Sequence, residues 1–542
     1  MRQSKAGQKA ETQNSAPESG KPDIAPASES RNETGSARVD GPPTSDTSVS
    51  WRAAPLPGNG PGRWPRAGWL GWRAIAALLG GLILRLWMWS AFPQIGGDAL
   101  IYGSLARNML RHGQFALTDG SGVVHSTLIR LPGYPLFLAA CFRLFGVENY
   151  RAVVLLQIAL ELAACLFLAD FVRRIASPRA GLNTLWLATM CPFTAVYASA
   201  PLTESLTFDT ICLALWSLER TLSGWDSTEL RRDGNSARFS WQPLLVFTLA
   251  ISYAALLRPD GALLAFALWP ALVLSRPAGV KLLPALRRGL LCALVSMLPF
   301  VAWTARNLHI FHVFEPLAPR YANDPGEDPH LGWQRWVSTW CLDFTCTNEI
   351  YWNVPDGEIA MEDLPSQAFD SPAQRAQTAK LITDYNRDQQ ITPAIDARFE
   401  ALARERESAH PIRSWLLMPF GRLADMTLRP RVENLTIDLR WWEYWNHHPE
   451  TRFSVVYGFV NLLFLLLGLA GFLYRPRFWP YLAAYLILRS LLLLTVEAPE
   501  TRYTLEFFPM LFALGGIALH RIFARKGRPG TAGLASDLGS AR

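Results

Sequence analysis

The chain has 542 residues, half of them hydrophobic and 18% charged, with a formal net charge of +7 and a mean hydropathy of +0.10. Soluble chains average roughly 25% charged residues, and here the apolar residues are gathered into long uninterrupted runs. A soluble multidomain enzyme, a disordered protein and, with seven cysteines, a disulfide scaffold are excluded. The pattern indicates an all-α polytopic membrane protein.

Residues 1–66 are rich in Ser, Pro, Gly and mixed charge, and are nearly free of large apolar side chains before Trp51. They cannot bury enough surface to offset the entropy of ordering, so a disordered cytoplasmic tail is expected. No apolar core in the first thirty residues reads as a secretory signal. Stretches near membrane-crossing length fall at 69–92, 151–173, 181–199, 203–219, 242–257, 259–275, 289–306, 453–474, 479–496 and 503–522, about ten spans. They divide into an N-terminal transmembrane module over 67–306, C-terminal helices over 453–525 and a second tail over 526–542.

Basic residues test this order independently, because inner loops gather Lys and Arg. With the N-terminus inside, the inner segments hold Arg52/Arg63/Arg66, Arg173/Arg174/Arg179, Arg231/Arg232/Arg238, Arg276/Lys281/Arg287/Arg288, Arg475/Arg477 and Arg521/Arg525/Lys526/Arg528. Every one is basic, which predicts both termini in the cytoplasm and attributes the positive charge to topology, with no nucleic-acid partner. Two segments are then outside. The first, 93–150, contains amphipathic stretches at Ala99–Arg111 and Pro132–Phe145, suited to helices in the membrane interface. The second, 307–452, is Trp- and Pro-rich and then helical in composition around 372–408; a small extracytoplasmic domain is expected. Cys341 and Cys346 lie there and could form a disulfide.

Several constellations on the expected outer side could carry chemistry. Asp98 follows Gly96-Gly97 at the end of the first span, with Tyr102, Arg107 and Arg111 on the same short helix. Glu204 lies in Pro201-Leu-Thr-Glu-Ser, where it also suits a helix N-terminus. Asp209, a turn further on, is expected to have a structural partner. Arg258-Pro-Asp-Gly reads as a hairpin whose Pro259, Asp260 and Gly261 make the turn, leaving Arg258 as a phosphate contact; Arg306-Asn307 closes the seventh span. The last outer turn, Glu497-Ala-Pro-Glu500-Thr-Arg502-Tyr503, compresses two acids, an arginine and a tyrosine between apolar helices. Arginine forks suit an anionic lipid phosphate, and an acid without a His/Cys cluster suits general-base work. Glu161 and Arg489, deep in their spans, are expected in a buried interhelical pair. Trp441, Trp442, Trp445 and His447-His448 could bind a sugar but read more simply as an interfacial belt.

The ordered motifs Gly-Gly-Asp-Ala-x-x-Tyr, Arg130-Leu-Pro-Gly-Tyr-Pro135, Thr203-Glu204, Arg258-Pro, Ala305-Arg306-Asn307 and Glu500-Thr-Arg502-Tyr503 resemble those of GT-C membrane glycosyltransferases over about 69–525. The nearer likeness is to the bacterial branch related to protein O-mannosyltransferases and the lipid A aminoarabinose transferase. The resemblance implies inverting transfer of a sugar from a polyprenyl-phosphate carrier to an acceptor hydroxyl on lipid, polysaccharide or protein, outside the cytoplasm. Asp98 would be the base, with Glu204 as a second catalytic acid. Tyr102, Arg107, Arg111, Arg258, Arg306, Glu500, Arg502 and Tyr503 would bind substrate. Relatives commonly carry two adjacent acids in the first loop; here Ala99 follows Asp98, and Glu204 is the nearest replacement. No metal ligand set is assigned, and a divalent cation is left open. A polysaccharide polymerase or O-antigen ligase, and a lipid-linked sugar transporter, are the alternatives.

Overall fold

The computed structural model describes residues 71–93, 95–229, 240–276, 280–355, 357–443 and 448–526. The tail expected over 1–66, all but Lys526 of that over 526–542, the loop arginines Arg231, Arg232 and Arg238, and Trp445 and His447 lie outside these residues. The chain is helical nearly throughout: α1 (Trp72–Ala91), α2 (Asp98–His112), α3 (Gly133–Phe145), α4 (Tyr150–Ile175), α5 (Pro178–Thr189), α6 (Pro192–Ala198), α7 (Thr203–Glu229), α8 (Trp241–Leu257), α9 (Ala262–Leu274) and α10 (Leu282–Phe311). A β-hairpin, β1 (Ala116–Thr118) with β2 (Val124–Ser126), follows α2. Then come α11 (Leu331–Ser338), the single turn α12 (Phe344–Cys346), α13 (Pro372–Asp388), α14 (Pro393–Ala409), α15 (Met418–Leu428), α16 (His448–Gly471), α17 (Trp479–Leu493) and α18 (Phe508–Lys526).

Each of the ten apolar stretches is helical, but among the described residues only five helices are both long and apolar enough to cross a membrane: α1, α4, α10, α16 with its extension to Tyr474, and the run Thr501–Ala524. The stretch at 181–199 is divided between α5 and α6, because Pro192 removes a donor and the chain breaks before it. Helices α8, α9 and α17 have 17, 13 and 15 residues, short of the roughly 20 that a hydrocarbon core asks for. Helix α7 is long enough, at 27 residues, but carries acids and an arginine along its length.

The transmembrane helices share one apolar core, in which Phe193, Phe247, Leu268, Tyr485 and Phe508 meet. The segment 331–403 builds its own, from Trp333, Trp336, Trp340, Tyr385 and Phe399, and α13 and α14 start on Ser371 and Thr392 side-chain caps followed by proline. Cys341 and Cys346 are disulfide-bonded. Both stretches expected at the membrane interface are helices, α2 and α3, packed on each other through Tyr102, Leu105 and Ala106 against Tyr134, Leu138 and Phe142.

Candidate active site

Gly97 adopts φ +51°, which glycine reaches at no steric cost, and this bend starts α2 at Asp98. The carboxylate therefore lies at the positive end of a helix dipole. The Asp98 Oδ1 accepts a hydrogen bond from Arg130 Nη2 at 2.9 Å, and its Oδ2 accepts one from Arg502 Nη1 at 2.9 Å. These two guanidinium groups, Arg502 foremost, overcome the opposing effect of burial and hold the Asp98 carboxyl down at about 2. Below it Tyr102 packs edge-on to Tyr134, ring centroids 5.1 Å apart, and burial pushes the Tyr102 hydroxyl up to about 12. Tyr134 is fixed in turn by Gln157 at 2.6 Å, which also donates to the Ala200 carbonyl just before α7.

Arg502 is the junction of the site. It opens the 3-10 turn Thr501–Phe507 that leads into α18, and its Nε lies 2.5 Å from Glu500 Oε2 and 3.7 Å from Glu204 Oε1. The Glu204 Oε1 also takes Arg258 Nη1 at 3.1 Å. Arg258 Nε contacts Asp260 and Glu506, each at 3.2 Å, and Arg489 closes the chain with 2.7 Å contacts to the same two acids. The Tyr503 hydroxyl donates to Glu500, while its ring lies 5.4 Å from the Arg258 guanidinium and 5.8 Å from that of Arg502. Four guanidinium groups (Arg130, Arg258, Arg489, Arg502) and five carboxylates (Asp98, Glu204, Asp260, Glu500, Glu506) thus form one continuous ionic lattice. It ties the first loop to the starts of α7, α9 and α18 and to α17.

Of the residues singled out in the sequence, Asp98, Glu204, Arg258, Glu500, Arg502 and Tyr503 meet here, and Tyr102 packs directly beneath. Three arginines lie elsewhere. Arg107 pairs with Glu148, and Arg111 is exposed at the end of α2. Arg306 clamps the β-hairpin loop, donating to the carbonyls of Thr127 and Phe115 at 2.8 Å each, and its guanidinium stacks on Phe115, Trp303 and Phe311.

Four members went unrecognised. Arg130 is inside the quoted Arg-Leu-Pro-Gly-Tyr-Pro motif, but nothing in the spacing aims it at Asp98. Asp260 makes the turn that Pro-Asp-Gly predicts, and it also bridges Arg258 and Arg489. Glu506 gave no signal beyond its position in an apolar helix. Glu161 and Arg489 do form buried ion pairs, but not with each other: Glu161 pairs with Arg85 at 2.7 Å and Arg489 with Asp260 and Glu506. For Asp209 the expected structural partner is absent: both carboxylate oxygens are buried without a hydrogen-bond partner among the described residues. The charged groups that bear on it, Arg85 and Glu161, are already paired with each other. Among the described residues no group of three or more His, Cys, Asp or Glu is placed to hold a metal.

No family model and no curated protein matches the chain. Solved structures do. The fold is similar to that of an oligosaccharyltransferase from Archaeoglobus fulgidus tethered to an acceptor peptide, at 13% identity and a TM-score of 0.43, over 85% of this chain and 51% of that one. It is similar to the oligosaccharyltransferase AglB of the same organism in complex with an inhibitory peptide and a dolichol-phosphate, at 13% identity and a TM-score of 0.42, over 84% and 51%. ArnT from Cupriavidus metallidurans bound to undecaprenyl phosphate is similar at 16% identity and a TM-score of 0.34, over 84% and 78%. The chain spans about half the length of the oligosaccharyltransferase chains it matches.

Proposed function

We propose that the protein is a membrane glycosyltransferase that moves a sugar from a polyprenyl-phosphate carrier to an acceptor hydroxyl on the extracytoplasmic side, with inversion and with Asp98 as general base. The observation that carries this reading is the placement of Asp98 on one side of the Arg502 guanidinium while Arg258 approaches the other, across a shared Glu204 oxygen. A phosphate that draws on Arg258 and Arg502 competes with Glu204 and Glu500, which already engage them, and fixed guanidinium groups of this kind stabilise a departing phosphate. In this reading Asp98, on the far side of Arg502 from the leaving group, meets the incoming acceptor. The acceptor oxygen bonds to the anomeric carbon, the bond from that carbon to the phosphate oxygen breaks, and the acceptor proton passes to Asp98.

The same geometry sets an order of events. In the free site both Asp98 oxygens are capped by guanidinium groups, so the carboxylate is ionised but a weak base. A phosphate drawing on the charge of Arg502 raises the proton affinity of Asp98 towards the range where general-base catalysis is effective. Donor binding therefore arms the base. The test is to compare the extracted glycolipids, polysaccharides and glycoproteins of cells making equal amounts of the wild-type protein or Asp98→Asn. A product present with the wild type and lost with the variant supports the assignment; identical profiles overturn it.

A further inference from the structure

Away from the ionic lattice, a cavity of about 580 Å³ opens between the α11–α12 connection, α15 and the segment around 429–442. Its volume is in the range of small-molecule sites, roughly 300–1,000 Å³. Trp441 and Trp442 line one wall as an edge-to-face pair, ring centroids 5.6 Å apart, and Trp442 is 44% exposed. Asp343 and Asp425 line the other, with Arg429 between them at 3.1 and 3.7 Å and its guanidinium 5.2 Å from the Trp442 ring.

Both carboxylates reach the opening, the Asp343 side chain being 30% exposed and that of Asp425 19%. When ionised they accept hydrogen bonds only, and hydroxyl groups supply the donors. Ring faces beside hydrogen-bonding acids suit a ligand with one apolar face and a polar rim, as a pyranose has. Two carboxylates against one guanidinium disfavour an acidic sugar and an anionic headgroup alike.

We infer that this cavity is a carbohydrate-binding subsite for a neutral sugar. Trp442 supplies the stacking face, Asp343 and Asp425 accept hydrogen bonds from the sugar's hydroxyls, and Arg429 holds the two carboxylates in place. The disulfide between Cys341 and Cys346 closes the loop that carries Asp343. The chain links the subsite to the candidate active site: from Pro430 in its lining it runs to Arg431, which donates to the Thr501 carbonyl at 2.7 Å, one residue before Arg502. The inference does not depend on the transfer reaction, because binding is read directly.

The experiment is saturation-transfer NMR on the full-length protein in phosphatidylcholine nanodiscs, free of glycoside detergents. The probes are the methyl glycosides of glucose, galactose, mannose and N-acetylglucosamine, with glucuronate for comparison. At least one neutral glycoside is expected to receive saturation at its ring protons. Binding is expected to weaken at least about tenfold, the equivalent of 1.4 kcal/mol, in Trp442→Ala and in Asp425→Ala. Ala424→Phe, which fills the cavity from an exposed lining position and leaves the wall groups in place, gives the same loss and covers the case in which a wall variant misfolds. Asp98→Asn binds as the wild type does. Absence of transfer from every neutral glycoside, transfer that survives Ala424→Phe, or stronger binding of glucuronate overturns the inference.

Discussion

Held down by Arg502 and Arg130, the Asp98 carboxyl is ionised near neutral pH, so replacing it with Asn changes charge and proton affinity with little change in shape. If it takes the acceptor proton, Asp98→Asn lowers kcat by about 10²–10⁴-fold, the usual worth of a positioned base. The pH profile adds a sharper expectation. In the free protein Arg502 and Arg130 hold the Asp98 carboxyl at about 2, so the acid limb of kcat/KM, which reports the free enzyme, lies far below the ordinary carboxylate range of about 4. With donor bound, Arg502 is partly neutralised and the carboxyl rises, so the acid limb of kcat appears at higher pH than that of kcat/KM. Coincident limbs would remove the arming step. The linkage to folding has the matching sign. The folded carboxyl is depressed, so its stabilisation is complete above about 4 and is lost as pH falls towards 2. Two buried neighbours are expected to move stability in opposite directions in thermal unfolding. Arg489→Met leaves Asp260 and Glu506 to share Arg258 alone and costs about 3–5 kcal/mol. Asp209→Leu removes a buried carboxylate with no hydrogen-bond partner among the described residues and raises the melting temperature, with a gain of about 1–3 kcal/mol.

Helix α3 positions the Arg130 end of the site through one close approach. A Cβ on Gly133 would lie 2.5 Å from the Leu256 carbonyl oxygen in α8, and the Gly133 carbonyl accepts from the Tyr253 hydroxyl at 3.1 Å. Gly133→Val therefore pushes α3 off α8, destabilises the protein by about 1–3 kcal/mol as overpacking does, and displaces Arg130, three residues earlier, from Asp98. Transfer falls with it, and restoring bulk balance on the α8 side cannot rescue the loss because the clash is with backbone. Activity retained at the wild-type level in Gly133→Val would show that α3 does not set the site. This contact also marks where the sequence stops being legible. Helix content, the apolar runs, the paired helices α2 and α3 and six residues of the candidate site could be read from local pattern, because hydrophobic period and turn chemistry are local properties. Arg130, Asp260, Arg489 and Glu506 could not. Each owes its role to which helix faces which, and tertiary approach at Gly133 or Arg489 leaves no mark on the spacing of a single helix.

The cysteine inventory of the whole chain makes the direction of the site testable in cells. The five free cysteines are buried and the remaining two are bonded to each other, so the wild-type protein offers little background to a thiol reagent. Lys281, at the start of α10, belongs to a basic segment that the orientation rule assigns to the cytoplasm. Glu358, between α12 and α13, belongs to the segment assigned to the outside, where a disulfide is at home. Both are exposed. In intact cells a membrane-impermeant maleimide is expected to label Glu358→Cys and to leave Lys281→Cys unlabelled until the membrane is permeabilised. The site must follow Glu358: α10 runs from Lys281 to the Arg306 clamp on the first loop, and Thr347, at the foot of the outer segment, donates to the Pro499 carbonyl at 3.0 Å, next to Glu500. If Lys281→Cys alone were labelled in intact cells, Asp98 and its arginines would face the cytoplasm, and transfer from a carrier lipid on the outer face would have to be abandoned.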